Sequence, residues 1–146
     1  MRIYLDNCCL QRPLDNQSQP RIRVETEAVL VILAAVQSKE VCLLGSEALD
    51  FEVERIPDLT RRTEIQAVLA LASEYLQISE TTEALALTFE EQGIRSMDAI
   101  HLALASVAKA DFFCTSDDKF FRKAQAMSGL GCKVSTLLGL IPEVLR

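Results

Sequence analysis

Short apolar runs alternate along this chain with longer stretches of helical period. Ile3-Tyr4-Leu5 has the character of a buried strand and ends at Asp6. Residues 15–20, Asp-Asn-Gln-Ser-Gln-Pro, carry turn chemistry. Residues 21–37 read as a long helix, apolar at Val24, Ala28, Val31, Ile32 and Ala35. A second strand is expected over residues 40–44, stopped by Gly45. Ser46 then caps a helix running to about Arg55. Pro57-Asp58 breaks that helix, and Thr60 is placed to cap the next, which runs to about Ser73. Residues 75–78 form a third, short strand, and residues 81–92 an amphipathic helix with Gly93 as its stop. Ser96 is expected to cap a helix over residues 97–109 that is apolar nearly all round, the mark of a helix buried on several sides. Phe112-Phe113-Cys114 is a fourth strand. A turn at residues 115–118, a helix over 119–127, a fifth strand Lys133-Val134-Ser135 and a short terminal helix complete the pattern.

Strands separated by helices predict an α/β fold: three layers, α/β/α, around a mostly parallel sheet of four to five strands, with right-handed crossovers. The length, 146 residues with no linker or internal repeat, predicts a single domain over 1–146. In such folds ligands gather outside the carboxyl ends of the strands, and the chemistry is sought there.

Composition adjusts this picture in a few places. Apolar residues at 49% and charged ones at 25% support an ordered core. With no Trp, two Tyr and six Phe, that core must be mainly aliphatic. The net charge of −6 argues against a simple electrostatic grip on nucleic acid or on an anionic membrane. It does not exclude an enzyme whose catalytic acids drive the count negative. The early charges Arg2 and Asp6 do not suit a signal peptide, and the longest apolar stretch, residues 28–36, is about half of the ~20 residues a spanning helix needs. A cytoplasmic protein with no membrane partner is expected. Five cysteines, an odd number without a C-x-x-C pair, do not suggest a disulfide framework or a zinc site, and Cys42 and Cys114 read as small core residues.

The acids are the candidate chemistry. Asp6 follows the first strand, Asp117 and Asp118 follow the fourth, and Asp98 lies in the first turn of the buried helix. Glu47, Asp50 and Glu52 lie in the helix after the second strand. Each has an ordinary role when taken singly: Asp98 complements a helix dipole, Asp117 or Asp118 caps a helix, Asp6 ends a strand, and Glu47 or Asp50 is solvated surface. Together, a parallel sheet brings them to one edge. Carboxylates converging there repel unless a cation lies between them. With a single His and no paired Cys, oxygen donors favour Mg²⁺ or Mn²⁺ over Zn²⁺.

These residues resemble the PIN-domain nucleases. Ile3-Tyr4-Leu5-Asp6-Asn7 is similar to that family's first strand and first metal-binding Asp. Ser96-Met97-Asp98-Ala99-Ile100-His101-Leu102-Ala103 is similar to its D-A-x-H-x-A helix. Ala110-Asp111-Phe112-Phe113-Cys114-Thr115-Ser116-Asp117 is similar to its A-D-x-x-x-T-x-D strand and turn. The resemblance covers nearly the whole chain, and the two later motifs in this order carry most of its specificity. It implies a second acid in the helix after strand two, about six residues beyond a Ser or Thr: counting from Ser46 gives Glu52, with Glu47 as the fallback and Asp50 after it. Asn7 stands where the family commonly has Thr or Ser, and its amide can still bond a metal-bound water or a carboxylate. Thr115 or Ser116 is expected to hydrogen-bond the acids, and Asp118 to act as helper or cap. His101, on the same side of its helix as Asp98, reads as packed and hydrogen-bonded rather than a base. Cys8 and Cys9 lack a partner base, and no Gly-rich phosphate loop is present.

The resemblance implies a metal-dependent endoribonuclease with catalytic Asp6, Glu52, Asp98 and Asp117. Asp6, Asp98 and Asp117 would hold Mg²⁺ or Mn²⁺, and the products would carry a 5′-phosphate and a 3′-hydroxyl. It also implies the toxin of a type II toxin–antitoxin pair, a homodimer, with an antitoxin protein as partner. RNA contacts are expected from Arg12, Lys119 and Arg122 first, then from Arg21, Arg23 and Lys123. Excess apolar residues in the helices over 21–37 and 60–73 serve either core or a partner surface, core for most positions. Two alternatives stay open: a non-catalytic PIN-like module that binds RNA or protein, and a phosphoryl-transfer domain. The Asp-x-Asp of one such class is absent, since Asp6-Asn7-Cys8 stands there.

Overall fold

Ile3, Tyr4 and Leu5 are wholly buried, as expected for a strand covered on both faces, where apolar side chains run continuously instead of alternating. The computed structural model describes residues 1–146 and places this strand, β1 (Arg2–Leu5), at the centre of a five-stranded sheet. Its companions are β2 (Cys42–Ser46), β3 (Glu74–Leu76), β4 (Phe112–Cys114) and β5 (Lys133–Ser135), in the order β3-β2-β1-β4-β5. Every neighbouring pair is parallel, with Ile3 opposite both Leu43 and Phe112, and Leu5 opposite Cys114. The chain winds outward from β1 first to one side and then to the other. The crevice between β1 and β4 is therefore the topological switch point, where α/β sheets place their ligands.

Eight helices complete the three-layer α/β/α architecture: α1 (Asn7–Gln11), α2 (Pro20–Gln37), α3 (Glu47–Glu54), α4 (Leu59–Leu69), α5 (Glu80–Glu91), α6 (Ser96–Val107), α7 (Asp118–Gln125) and α8 (Leu137–Val144). α2 packs on α8, and α5 on α6. The core is aliphatic, with a short aromatic spine: Tyr4 stacks on Phe113 at 5.4 Å between ring centres, and Phe113 meets Phe120 edge-on at 5.5 Å. Helix α6 is enclosed as its composition predicts. Ala99, His101, Leu102, Ala103, Leu104, Ala105 and Ser106 are all buried. Each fully buried Leu contributes about 1.5–3 kcal/mol relative to an exposed one. No helix is long and apolar enough to cross a membrane.

Several expectations are corrected. Gly45 does not stop β2, which continues through it to Ser46. A Cβ at Gly45 would lie 3.3 Å from that of Ala72, so the glycine serves close packing inside the strand. α4 is capped by Asp58, whose carboxylate accepts from the N–H groups of Thr60 and Arg61, and not by Thr60. α6 has no side-chain cap, since Ser96 is already its first helical residue. α1 and the 3₁₀ turn after it (Arg12–Leu14) have no counterpart in the sequence pattern, because elements this short show no readable period. On α2 the buried stripe is Ala28, Val29, Ile32, Ala35 and Val36, joined by Glu25, while Val24 and Val31 are exposed. α4 buries only Ile65. Gly93 ends α5 as expected, in the left-handed conformation at φ +94° that glycine adopts without a steric penalty.

Arg2 fastens the amino end of the sheet. Its guanidinium holds Glu74 of β3 through two bonds of 2.7 and 2.9 Å and caps the exit of α6 at the carbonyls of Ala108 and Lys109. On the way into β5, the N–H of Gly131 donates to Ser106 Oγ at 2.6 Å, and a Cβ there would lie 2.1 Å from the Ser106 carbonyl oxygen. Gly131→Ala is therefore expected to destabilise the protein by about 1–3 kcal/mol through overpacking against backbone. Gly129→Ala, with nothing within 4 Å, meets only backbone strain at φ +77°. Urea melts of the two variants check the ranking.

Candidate metal centre

β1 delivers Asp6 to the switch crevice. The ladder continues one step past the strand, with the Asp6 N–H donating to the Cys114 carbonyl at 2.9 Å. Asp6 is 5% exposed. It caps α1 by accepting from the Asn7 N–H at 2.8 Å, and its other oxygen accepts from the Thr115 hydroxyl at 2.9 Å and the Cys8 thiol at 3.4 Å. Burial pushes the Asp6 carboxyl well above its ordinary range, with Cys8 and Asp98 adding to the rise against His101 and Thr115.

Glu52 comes from the second turn of α3. That helix starts where Ser46 Oγ accepts from the Leu49 N–H at 3.0 Å. Glu52 Oε1 is hydrogen-bonded to His101 Nε2 of α6. His101 is wholly buried, and its Nδ1 lies 2.5 Å from the Tyr4 hydroxyl, which in turn lies 2.7 Å from Ser46 Oγ. Burial raises the Tyr4 phenol further above its already high range, so it stays protonated. Asp6, Glu52 and His101 each bring a potential ligand atom within 4.8 Å of the other two.

Asp98, in the first turn of α6, and Asp117, the cap of α7, line one small open pocket. Asp117 accepts from the Phe120 N–H at 3.0 Å, and its own N–H donates to Thr115 Oγ1 at 3.2 Å. Burial raises the Asp98 carboxyl, and the charges of Asp117 and Glu52 raise it further against His101 and Arg95. Asp98 thus acts on Asp6 and is acted on by Asp117 and Glu52, and none of the four forms an ion pair with a Lys or Arg. Carboxylates that no Lys or Arg pairs suit a hard divalent cation, and Asn7, next to Asp6 in the chain, has a buried Oδ1 without a partner. The donor set lacks the paired thiolates that would favour a softer ion.

The other candidates separate clearly. Glu47 accepts from the Ile78 N–H at 2.6 Å and Asp50 from the Tyr75 hydroxyl at 2.7 Å, so both serve the β3 segment, and Glu52 is the α3 acid beside Asp6. Asp118 is not the cap of α7. It is held by Arg21 at 2.7 and 2.9 Å, which lowers its carboxyl pKa. Thr115, not Ser116, bonds the acids; Ser116 Oγ is buried with no partner. The neighbouring Cys9 and burial push the Cys8 thiol well above its ordinary range, which disfavours the thiolate a nucleophile needs.

Arg12, expected as a first RNA contact, has acidic partners within the fold. It is committed to Asp15 at 3.0 Å and to the buried Glu25 at 3.2 Å, which Arg21 also holds at 3.1 Å. Lys119 does line the pocket of Asp98 and Asp117, but Arg122 does not; Arg95 and Lys123 take that place. Arg95 is legible in the sequence as a cation just before Asp98. Motif spacing does not mark Tyr4 and Ser46 as parts of the site, although a lone Tyr in an aliphatic strand is a hydroxyl that needs a partner.

The sequence matches the PIN domain family model over residues 3–126, and the chain belongs to the PIN-domain family, a family of nucleases. No curated protein sequence matches it. A crystal structure of VapBC2 from Rickettsia felis, bound to a DNA fragment from their promoter, is similar in fold. Its matched chain is 16% identical with a TM-score of 0.56, and the match covers 93% of this chain and 98% of that one.

Asp98→Asn relieves like-charge repulsion in the metal-free protein and is expected to raise Tm at pH 7.5 by a few degrees. The sign follows from the raised carboxyl. The native state holds its proton more tightly than the unfolded chain does, so ionisation costs stability above the folded pKa. That cost is absent below the unfolded value near 3.8. The advantage of the variant should shrink as pH falls toward 4 and reverse when Mg²⁺ is added, as calorimetry at each pH would show.

Proposed function

We propose that this protein is a metal-dependent endoribonuclease, with the whole chain 1–146 acting as one PIN unit. The reading is carried by two groupings of acids that no Lys or Arg pairs: Asp6 and Glu52, whose ligand atoms lie within 4.8 Å of each other and of His101, and Asp98 and Asp117, which line one pocket, with the charges of Glu52 and Asp117 acting on Asp98. Asp6, Asp98 and Asp117 would hold Mg²⁺ or Mn²⁺, with Glu52 completing the set. A bound dication supplies activation of water, neutralisation of the scissile phosphate and alignment for in-line attack. The chain's own residues hold that set in place. Thr115 fixes one oxygen of Asp6, the α1 amide fixes the other, and the α7 amide of Phe120 orients Asp117. Asn7 Oδ1 is free to accept from a water or hydroxyl. Products with a 5′-phosphate and a 3′-hydroxyl follow from the family.

RNA is the substrate class proposed. Lys119, Lys123 and Arg95, which line the acidic pocket, supply the phosphate contacts that an acidic molecule must concentrate locally. The VapBC2 likeness supports a toxin role with an antitoxin protein as partner. Exposed Val24, Leu30 and Val31 on α2 and Leu59 on α4 offer apolar surface for such a partner or for a homodimer.

Cleavage of single-stranded RNA with Mg²⁺ or Mn²⁺, abolished by EDTA, is the expected result. Asp98→Asn and Glu52→Gln should each lower the rate at least about a hundredfold, equivalent to roughly 2.7 kcal/mol of transition-state stabilisation. Metal binding without cleavage of any RNA would favour a binding module instead. In a separate titration, the double variant Lys119→Ala, Lys123→Ala should weaken RNA binding and reduce the salt slope by about 0.7 for each phosphate that is no longer neutralised. Arg12→Ala should leave that slope unchanged.

A further inference from the structure

Resting on the metal-nuclease reading above, we infer that Tyr4 and His101 are positioning residues: they hold the Glu52 carboxylate toward the cation by fixing the buried imidazole as its Nε2–H tautomer. Ser46, Tyr4, His101 and Glu52 form a continuous chain of hydrogen bonds, and its protons can be counted. Ser46 Oγ already accepts from the Leu49 N–H at 3.0 Å. The Tyr4 oxygen has two neighbours, Ser46 Oγ at 2.7 Å and His101 Nδ1 at 2.5 Å, and can donate to only one. If Tyr4 donated to Ser46, the Ser46 proton would have no acceptor, and a buried donor left unmade is costly. If Tyr4 donates to Nδ1, every proton is used. Ser46 donates to Tyr4, Tyr4 donates to Nδ1, and Nε2–H donates to Glu52 Oε1. The hydrogen-bonded chain then runs in one direction, from the start of α3 through β1 and α6 to the acid.

Two consequences separate this role from that of a purely structural cluster. The ring nitrogen facing the site carries a proton, so His101 is a donor to Glu52 and not itself a ligand, although its position within 4.8 Å of Asp6 would permit ligation. Glu52 has no other side-chain partner, so this one bond decides where its long side chain points. Partners of this kind orient a metal-binding carboxylate, and losing one typically weakens metal binding by 10–100-fold.

The chain holds a single histidine, so ¹⁵N-histidine labelling yields one imidazole spectrum. In metal-free protein at pH 7.5, long-range ¹H–¹⁵N correlation should show a protonated Nε2 and an unprotonated Nδ1. That pattern should survive addition of Mg²⁺. A protonated Nδ1, a doubly protonated ring, or loss of the Nε2 proton when Mg²⁺ is added would overturn the inference. Mn²⁺ binding, followed by electron paramagnetic resonance, supplies the second readout. Tyr4→Phe keeps the ring stacked on Phe113 and removes only the hydroxyl, so the apolar packing is kept while Ser46 Oγ and His101 Nδ1 lose their shared partner. It should weaken Mn²⁺ about tenfold and mix the tautomers. His101→Leu should weaken Mn²⁺ at least as much, and His101→Gln, which keeps an N–H donor, should recover part of the loss. Wild-type Mn²⁺ affinity in folded Tyr4→Phe would sink the positioning role even if RNA cleavage is intact. Wild-type protein that binds Mn²⁺ but cleaves no RNA would sink the nuclease reading, while the tautomer and affinity results would still decide the role of Tyr4 and His101.

Discussion

Repulsion among carboxylates gathered around the carboxyl end of an apolar sheet is the constraint on which the molecule is organised. Asp6 is nearly inaccessible, and the charges of Asp117 and Glu52 add to the cost of burying an ionised Asp98, which His101 and Arg95 offset only in part. A protein keeps such a group of like charges only if the surrounding scaffold is stiff enough to resist their separation. Here the scaffold is deeply buried: the strand β1, the aromatic spine of Tyr4, Phe113 and Phe120, and the enclosed helix α6. The site is electrostatically strained and mechanically well supported, the usual exchange of stability for activity.

The same scaffold assigns each acid a different degree of freedom. Asp6 and Asp117 are both helix caps, so a backbone amide fixes one oxygen of each before any ligand arrives. Asp98 has no such bond and projects from the first turn of α6. Glu52 depends on a single imidazole. Thr115 joins the two capped acids by donating to Asp6 and accepting from the Asp117 N–H. A residue type that sequence reasoning treats as a helper thus couples the ends of β1 and β4.

Much of this is readable in the sequence, and what is not has identifiable physical causes. The parallel sheet is legible because Ile3-Tyr4-Leu5 and Phe112-Phe113-Cys114 are continuous apolar runs separated by helix-length segments. The helix α6 is legible because a helix apolar all round must be covered on several sides. Asp6, Asp98 and Asp117 are legible from strand ends and motif spacing. The cap assignments at Thr60 and Ser96 fail because the position just outside a helix is decided by a shift of one or two residues, which periodicity does not resolve. The fate of Arg12 is hidden because its partner Glu25 is brought to it only by the fold. A buried Glu25 on α2 cannot be told from a solvated one by periodicity. The hydroxyl network of Tyr4 is hidden for the same reason: its partners Ser46 and His101 are 42 and 97 residues away along the chain.

Arg2 gives β1 an anchor at the end opposite its acid. A strand rises about 3.3 Å per residue, so the guanidinium that grips Glu74 and the tail of α6 is rooted roughly 13 Å behind Asp6 on the same short rod. With one end clamped and the other carrying the charge, the strand cannot slide to relax the crowding in front of it. A slip by a single residue would turn Asp6 away from the crevice and bring Leu5 or Asn7 into its place. The far clamp therefore acts as a ruler, setting how deep into the cleft the first carboxylate reaches.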